Sequence, residues 1–256
     1  MNYFVCLCAA LIGLATLPAH ATELHRLDLG IANVYLLKGK QPLLIDSGPH
    51  GRAAEVESWL KSHGVAPEQL AAVILTHGHA DHAGGAYGLA KKRGIPVWAG
   101  AGDEDMLTQG KNRPLQPTTL IAGLIRIGVD LPYPAYTPDT LISGPVDLKP
   151  YGINGQVVPL PGHTHGSLIV VLDDNNSAIV GDLLRGGVLN NSLPRVHFFH
   201  ENRAQTQWQL WKLLEHEGIK TFYPGHFGPL QAADVKRTFF PHGRFQWGIA
   251  PGSLDL

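Results

Sequence analysis

The chain contains only two cysteines in 256 residues, Cys6 and Cys8, and both fall in its first ten positions. Beyond them there is no thiol for a disulfide, a redox couple or a thiolate metal ligand. Long basic runs are missing as well. Lys and Arg are scattered, the formal net charge is −1, and nothing tracks a phosphate backbone, so nucleic acid is not an expected partner. The longest apolar run, Tyr3 to Leu17, is short of the roughly 20 residues that span a bilayer. No Gly-x-Ser-x-Gly elbow marks a serine nucleophile.

Residues 1–21 carry no Lys, Arg, Asp or Glu, and Ala19-His20-Ala21 fits the small-x-small pattern before a signal-peptidase cut. The expectation is a secretory signal peptide over 1–21, a mature chain starting at Thr22, and one large α/β domain over 22–256. That places the protein in the periplasm or outside the cell, with no stable membrane association after cleavage. Without disulfides, such a protein must rest on its core and on bound metal.

Short apolar runs bounded by turn residues predict strands at 24–29, 33–37, 42–45, 72–75 and 96–99, then at 140–142, 147–148, 156–160, 168–172, 178–180 and 220–223. Helical spacing appears at 52–63, 86–92 and 204–217, with Trp208, Leu210, Trp211 and Leu214 available for burial in the last. Each half is β-rich and then helical. An α/β protein with two sheets face to face and helices outside, an αββα sandwich, fits this order. The region 100–138 is irregular, with short helices at 104–107 and 120–127 and a Pro-rich stretch from Pro132 to Pro138. It suits either a substrate lid or a surface connector.

What is abundant is histidine, and its placement is telling. Thr76-His77-Gly78-His79-Ala80-Asp81-His82 follows the 72–75 strand and packs three imidazoles and a carboxylate together. Neutral imidazole and carboxylate are metal ligands, and a strand end is where an α/β protein places a site. Three later positions share the device of a polar side chain on a glycine-containing turn after an apolar strand: His163 in Pro-Gly-His, Asp182 in Val-Gly-Asp, and His226 in Pro-Gly-His. His165, His197, His200 and His242 lack that context and read as ordinary loop side chains, and Tyr133 and Tyr136 read as packing.

Together with Asp46 in Leu44-Ile45-Asp46-Ser47-Gly48, these elements resemble the metallo-β-lactamase superfamily over nearly the whole mature chain. The resemblance implies the αββα fold and a site for two zinc ions, with iron or manganese also compatible with an all-N/O donor set. It assigns His77, His79 and His163 to one metal, Asp81, His82 and His226 to the other, and Asp182 to a bridge between them. Asp46 would orient ligands through hydrogen bonds. A hydroxide shared by the metals would attack, with Asp81 orienting it and Asp182 completing the catalytic pair.

The bridging Asp182 and the missing cysteine make the site more similar to glyoxalase II and the lactonases than to most metallo-β-lactamases. The roughly 30 residues after His226 are few for the helical glutathione-binding extension of glyoxalase II itself. The expectation is therefore an exported, glyoxalase II-like binuclear hydrolase of a small-molecule ester, thioester, lactone or lactam. The alternatives are a β-lactamase and an iron-dependent sulfur dioxygenase-type oxidoreductase.

Overall fold

The computed structural model describes residues 22–215, 218–243 and 245, and the signal-peptide expectation for 1–21 lies outside them. Two six-stranded sheets face each other. The first holds β1 (Glu23–Asp28), β2 (Asn33–Lys38), β3 (Leu43–Ile45), β4 (Ala72–Ile74), β5 (Val97–Gly100) and β6 (Thr140–Ile142) in sequential order. The second holds β7 (Val146–Asp147), β8 (Gly155–Pro159), β9 (Leu168–Leu172), β10 (Ser177–Gly181), β11 (Thr221–Pro224) and β12 (Leu230–Gln231), again in order.

Helices α1 (Ala53–Ser62), α2 (Ala80–Ala83), α3 (Ala86–Leu89), α4 (Glu104–Gln109) and α5 (Leu120–Val129) belong to the first half. Helices α6 (Arg203–Glu215) and α7 (Ala232–Phe239) belong to the second. Among the described residues no helix is long and apolar enough to cross a membrane.

The strands read as continuous apolar runs because both of their faces are covered, and period two decides which side chain goes where. In β2, Tyr35 and Leu37 enter the layer between the sheets, while Val34 and Leu36 face the first helical layer. Ile45 and Ile74 join the inter-sheet layer and meet Val157, Leu168, Val170 and Ile179 of the second sheet. The opposite face of that sheet, with Ile169, Val171, Val180 and Phe222, is covered by Leu210 and Leu213 of α6 and Val235 and Phe239 of α7. Three apolar layers therefore separate four layers of structure. Each fully buried Leu or Ile contributes about 1.5–3 kcal/mol relative to exposure.

The predicted elements lie where periodicity placed them, with ends moved by a residue or two and the 86–92 helix shortened to Ala86–Leu89 plus a 3-10 turn at Lys91–Arg93; the last two residues of the 204–217 helix lie outside the described residues. In α6, Leu213 is buried with Leu210, whereas Trp208 remains 37% exposed. Strand β12 and helix α7 were not expected. They cover one end of the second sheet with only ten residues, too few for a clear period.

Strand direction positions the site. β3 and β4 run parallel, as do β10 and β11, so their carboxyl ends open on a common edge within each sheet. The two edges are tied by the Leu168 amide donating to the Thr76 carbonyl at 2.7 Å and the Asn33 amide donating to the Gly225 carbonyl at 2.7 Å. Ligand crevices in open α/β sheets lie outside such carboxyl ends.

Candidate metal centre

Asp46 follows β3, His77 follows β4, His163 follows β8, Asp182 follows β10 and His226 follows β11. His79, Asp81 and His82 sit at the start of the short turn of helix α2. The structure brings all seven sequence-derived donors into one cluster. His77, His79 and His163 form one set and Asp81, His82 and His226 another, the donor atoms of each set lying within 4.8 Å of one another. In the first, His163 Nε2 stands 3.0 Å from His79 Nδ1. In the second, His226 Nε2 lies 3.3 Å from both His82 Nε2 and Asp81 Oδ2.

Asp182 sits between the sets. Its Oδ2 is 3.5 Å from His163 Nε2 and 3.6 Å from His77 Nε2, and its Oδ1 is 3.6 Å from His82 Nε2. The same Oδ2 lies 3.2 Å from His226 Nε2. Close approach at this point requires glycine. A Cβ on Gly225 would strike Asp182 Oδ1 and come within 2.6 Å of His82 Cε1.

Rings are aimed by their far nitrogens. His82 Nδ1 donates to Asp46 Oδ2 at 2.9 Å, His163 Nδ1 donates to the Phe199 carbonyl at 2.9 Å, and His226 Nδ1 donates to the Ile31 carbonyl. Each bond leaves Nε2 facing inward. Asp46 holds a left-handed backbone, φ 63°, uncommon outside glycine. Its carboxylate also accepts from the Thr76 amide at 2.7 Å and the Thr76 hydroxyl at 2.9 Å, so the β3 end is locked to the β4 end.

Burial and charge divide the histidines. Burial holds His77 and His163 well below the usual histidine range, with neighbouring imidazoles adding to the effect on both, and it lowers His79. Burial also opposes the charge on His82, but Asp182, Asp81 and Asp46 outweigh it and push this histidine up to about 10. His226 is raised in the same way, against burial, by Asp182 and Asp81. Asp182 stays ionised because His197, His226, His82 and His77 outweigh the cost of burying it.

Sequence reasoning missed two residues here. Asp103 is fully buried and ties two ligand loops together: the Gly78 amide and the Thr164 hydroxyl donate to its Oδ2 at 2.9 and 2.7 Å, and the Gly166 amide donates to its Oδ1 at 2.9 Å. Arg113 caps it at 2.7 Å. A lone aspartate after β5 carries no sequence signal for that task. His197, set aside as a loop residue, is buried with Nε2 3.1 Å from Asp182 Oδ2. The other set-aside histidines differ. His200 is buried behind His163, whereas the His165 side chain is mostly exposed beside Glu201.

The 100–138 region takes two characters. Tyr133 and Tyr136 are buried, and their hydroxyls donate to the Gly78 and Ala83 carbonyls at 2.7 and 2.8 Å, bracing the His-rich turn. Helix α5 instead exposes Leu120, Leu124 and Ile127. A groove between α4 and α5 contains none of the seven donors. Asn112 on its wall reaches the motif by accepting from the Ala80 amide at 2.9 Å.

The family model for the metallo-beta-lactamase superfamily matches residues 27–226. The chain belongs to that superfamily. Among curated members, a hydroxyacylglutathione hydrolase, GloC, of Haemophilus influenzae is 32% identical over 49% of this chain and 56% of its own length. A probable metallo-hydrolase, YqgX, of Bacillus subtilis is 29% identical over 61% of this chain and 68% of its own. The match thus spans little more than half of the Haemophilus protein. Among solved superfamily structures, TTHA1623 in a di-iron-bound form superposes with a TM-score of 0.60 at 25% identity, covering 84% of this chain and 98% of that one. The B3 metallo-beta-lactamase BLEG-1 gives a TM-score of 0.63 at 20% identity, covering 87% of this chain and all of that one. At that identity BLEG-1 speaks for the metallo-beta-lactamase fold alone. The chain is thus a member of this superfamily with a His/Asp cluster suited to metal.

Proposed function

We propose that this protein is an exported hydrolase that holds two zinc ions and cleaves an ester, thioester, lactone or lactam bond in a small molecule. The observation that carries the reading is the position of Asp182 between the donor sets, its carboxylate within 3.6 Å of His77 and His163 on one side and of His82 and His226 on the other.

The residues fit a cation pair by their own chemistry. His77 Nε2 and Asp182 Oδ1 are buried without a hydrogen-bond partner, a costly arrangement in a protein interior. His79 and His163 turn ring nitrogens toward each other at 3.0 Å, which a shared cation relieves. In this reading His77, His79 and His163 hold one metal, Asp81, His82 and His226 the other, and Asp182 joins both. Such a pair supplies a water that loses its proton near neutral pH and polarises the scissile carbonyl.

The chain supplies the rest. Asp81, with a third of its side chain exposed, stands at the open side of the cluster, where it can orient an attacking oxygen. Asp46, the Phe199 carbonyl and the Ile31 carbonyl each keep an Nδ1 proton on one imidazole, so that Nε2 is the nitrogen that faces a metal. Asp182 is held as a carboxylate by the histidines around it. The name of the Haemophilus relative favours hydrolysis of an acyl compound. Export is supported by the uncharged, apolar composition of residues 1–21.

Metal analysis of protein purified without added metal, combined with a panel of lactone, thioester and β-lactam substrates, tests this. The expected result is about two metal ions per chain and turnover that His77→Ala abolishes. One iron per chain with oxygen consumption would replace the hydrolase by an oxidoreductase, and metal-free protein would end both readings. Turnover confined to a chromogenic cephalosporin would narrow the function to β-lactamase. N-terminal sequencing from an export-competent host is expected to start at Thr22.

A further inference from the structure

We propose that His197 is an eighth donor at this centre and contributes Nε2 to the metal held by His77, His79 and His163, an inference that rests on the metallohydrolase reading. His197 lies on the irregular segment between β10 and α6 and is 4% exposed. Its Nε2 stands 3.1 Å from Asp182 Oδ2, closer than His163 Nε2 at 3.5 Å or His77 Nε2 at 3.6 Å. The donor atoms of His163, Asp182 and His197 lie within 4.8 Å of one another, the same spacing that groups His77, His79 and His163. His163 is common to both groups, which assigns His197 to the first metal.

One carbonyl aims two rings. The Phe199 oxygen accepts from His163 Nδ1 at 2.9 Å and from His197 Nδ1 at 3.1 Å, one bond for each of its lone pairs. The Phe199 amide donates toward the same Nδ1 at a longer 3.3 Å; the shorter carbonyl bond favours a proton on Nδ1 and a lone pair on Nε2. A metal-bound imidazole needs that arrangement: its outer nitrogen bonded to a carbonyl, its inner one bare. Packing fixes the ring plane. His197 meets His163 edge-on at 4.8 Å and stacks on His226 at 5.1 Å with 24° between planes. The competing arrangement puts the proton on Nε2, so that His197 merely hydrogen-bonds Asp182 and positions it.

Cobalt(II) separates the two. In protein loaded with one equivalent, each imidazole bound through one nitrogen and protonated at the other gives a hyperfine-shifted, solvent-exchangeable N–H proton resonance. His197→Ala is expected to lose one such resonance and to weaken cobalt binding at the first set at least about tenfold in chelator competition. His197→Gln can still hydrogen-bond Asp182 but ligates poorly, and it is expected to behave like His197→Ala. It also carries the test should the alanine variant not fold. Retention of every shifted resonance in His197→Ala, or wild-type cobalt affinity in His197→Gln, would overturn the proposal and leave the two-metal reading standing. Wild-type protein that binds no cobalt would overturn both.

Discussion

Burial governs His77, His79 and His163, whereas carboxylates govern His82 and His226. The first set is neutral near pH 7 and surrounded by other imidazoles. The second faces Asp81, Asp182 and, through His82, Asp46, so its imidazoles keep protons until a cation displaces them. The difference teaches an order of loading. A metal entering the first set finds lone pairs ready, and a metal entering the second must compete with protons. Each set also has its own brace. Asp103 holds the first through backbone amides and the Thr164 hydroxyl, and Asp46 holds the second through the ring of His82.

The sharpest way to break this contrast is to remove what the sets share. Asp182→Asn is expected to cost both sets metal affinity beyond the ~10–100-fold typical of losing an outer partner, with turnover lost. Metal content after dialysis against chelator checks it, and retention of two ions would separate Asp182 from the centre. Asp103→Ala comes next. Breaking its buried bonds to Arg113 and three loop donors should lower stability by about 3–5 kcal/mol, read from denaturant midpoints. A loss below about 1 kcal/mol would show that the loops stand without it.

Asp46→Asn tests the second brace. It is expected to weaken the second metal about 10–100-fold and the first by less, because Asp46 reaches His77 only through Thr76. Equal weakening of both would erase the distinction between the sets. The test that separates them most directly is pH. Protons on His82, pushed up to about 10, and on the raised His226 oppose metal binding. Second-site affinity should therefore rise with pH from 6 to 9, by up to about tenfold per unit for each proton released. First-site affinity should stay flat above neutrality, because those imidazoles have already lost their protons. Titration calorimetry in buffers of different ionisation enthalpy measures the proton release, and a flat second site would refute the contrast.

Much of this was legible in the chain. Apolar runs ending in Asp46, His77, Asp182 and His226 marked strands whose ends carry polar side chains, and glycine beside them marked crowded turns. Asp103 was not legible, because its partners Gly78, Thr164 and Gly166 come from two loops far apart in sequence. Tyr133 and Tyr136 were read as packing, but their hydroxyl bonds to the His-rich turn depend on how the Pro-rich stretch folds back. The exposed apolar face of α5 likewise has the periodicity of a buried helix, and only its lack of a covering neighbour among the described residues distinguishes it.

The sequence by itself determined where strands lie and which donors their ends carry, because periodicity and turn chemistry are local. The tertiary structure alone decided that Asp182 lies between the two sets and that His197 Nε2 stands beside its carboxylate. Those facts depend on the register of two parallel strand pairs in separate sheets and on one carbonyl, that of Phe199, placed to orient two rings.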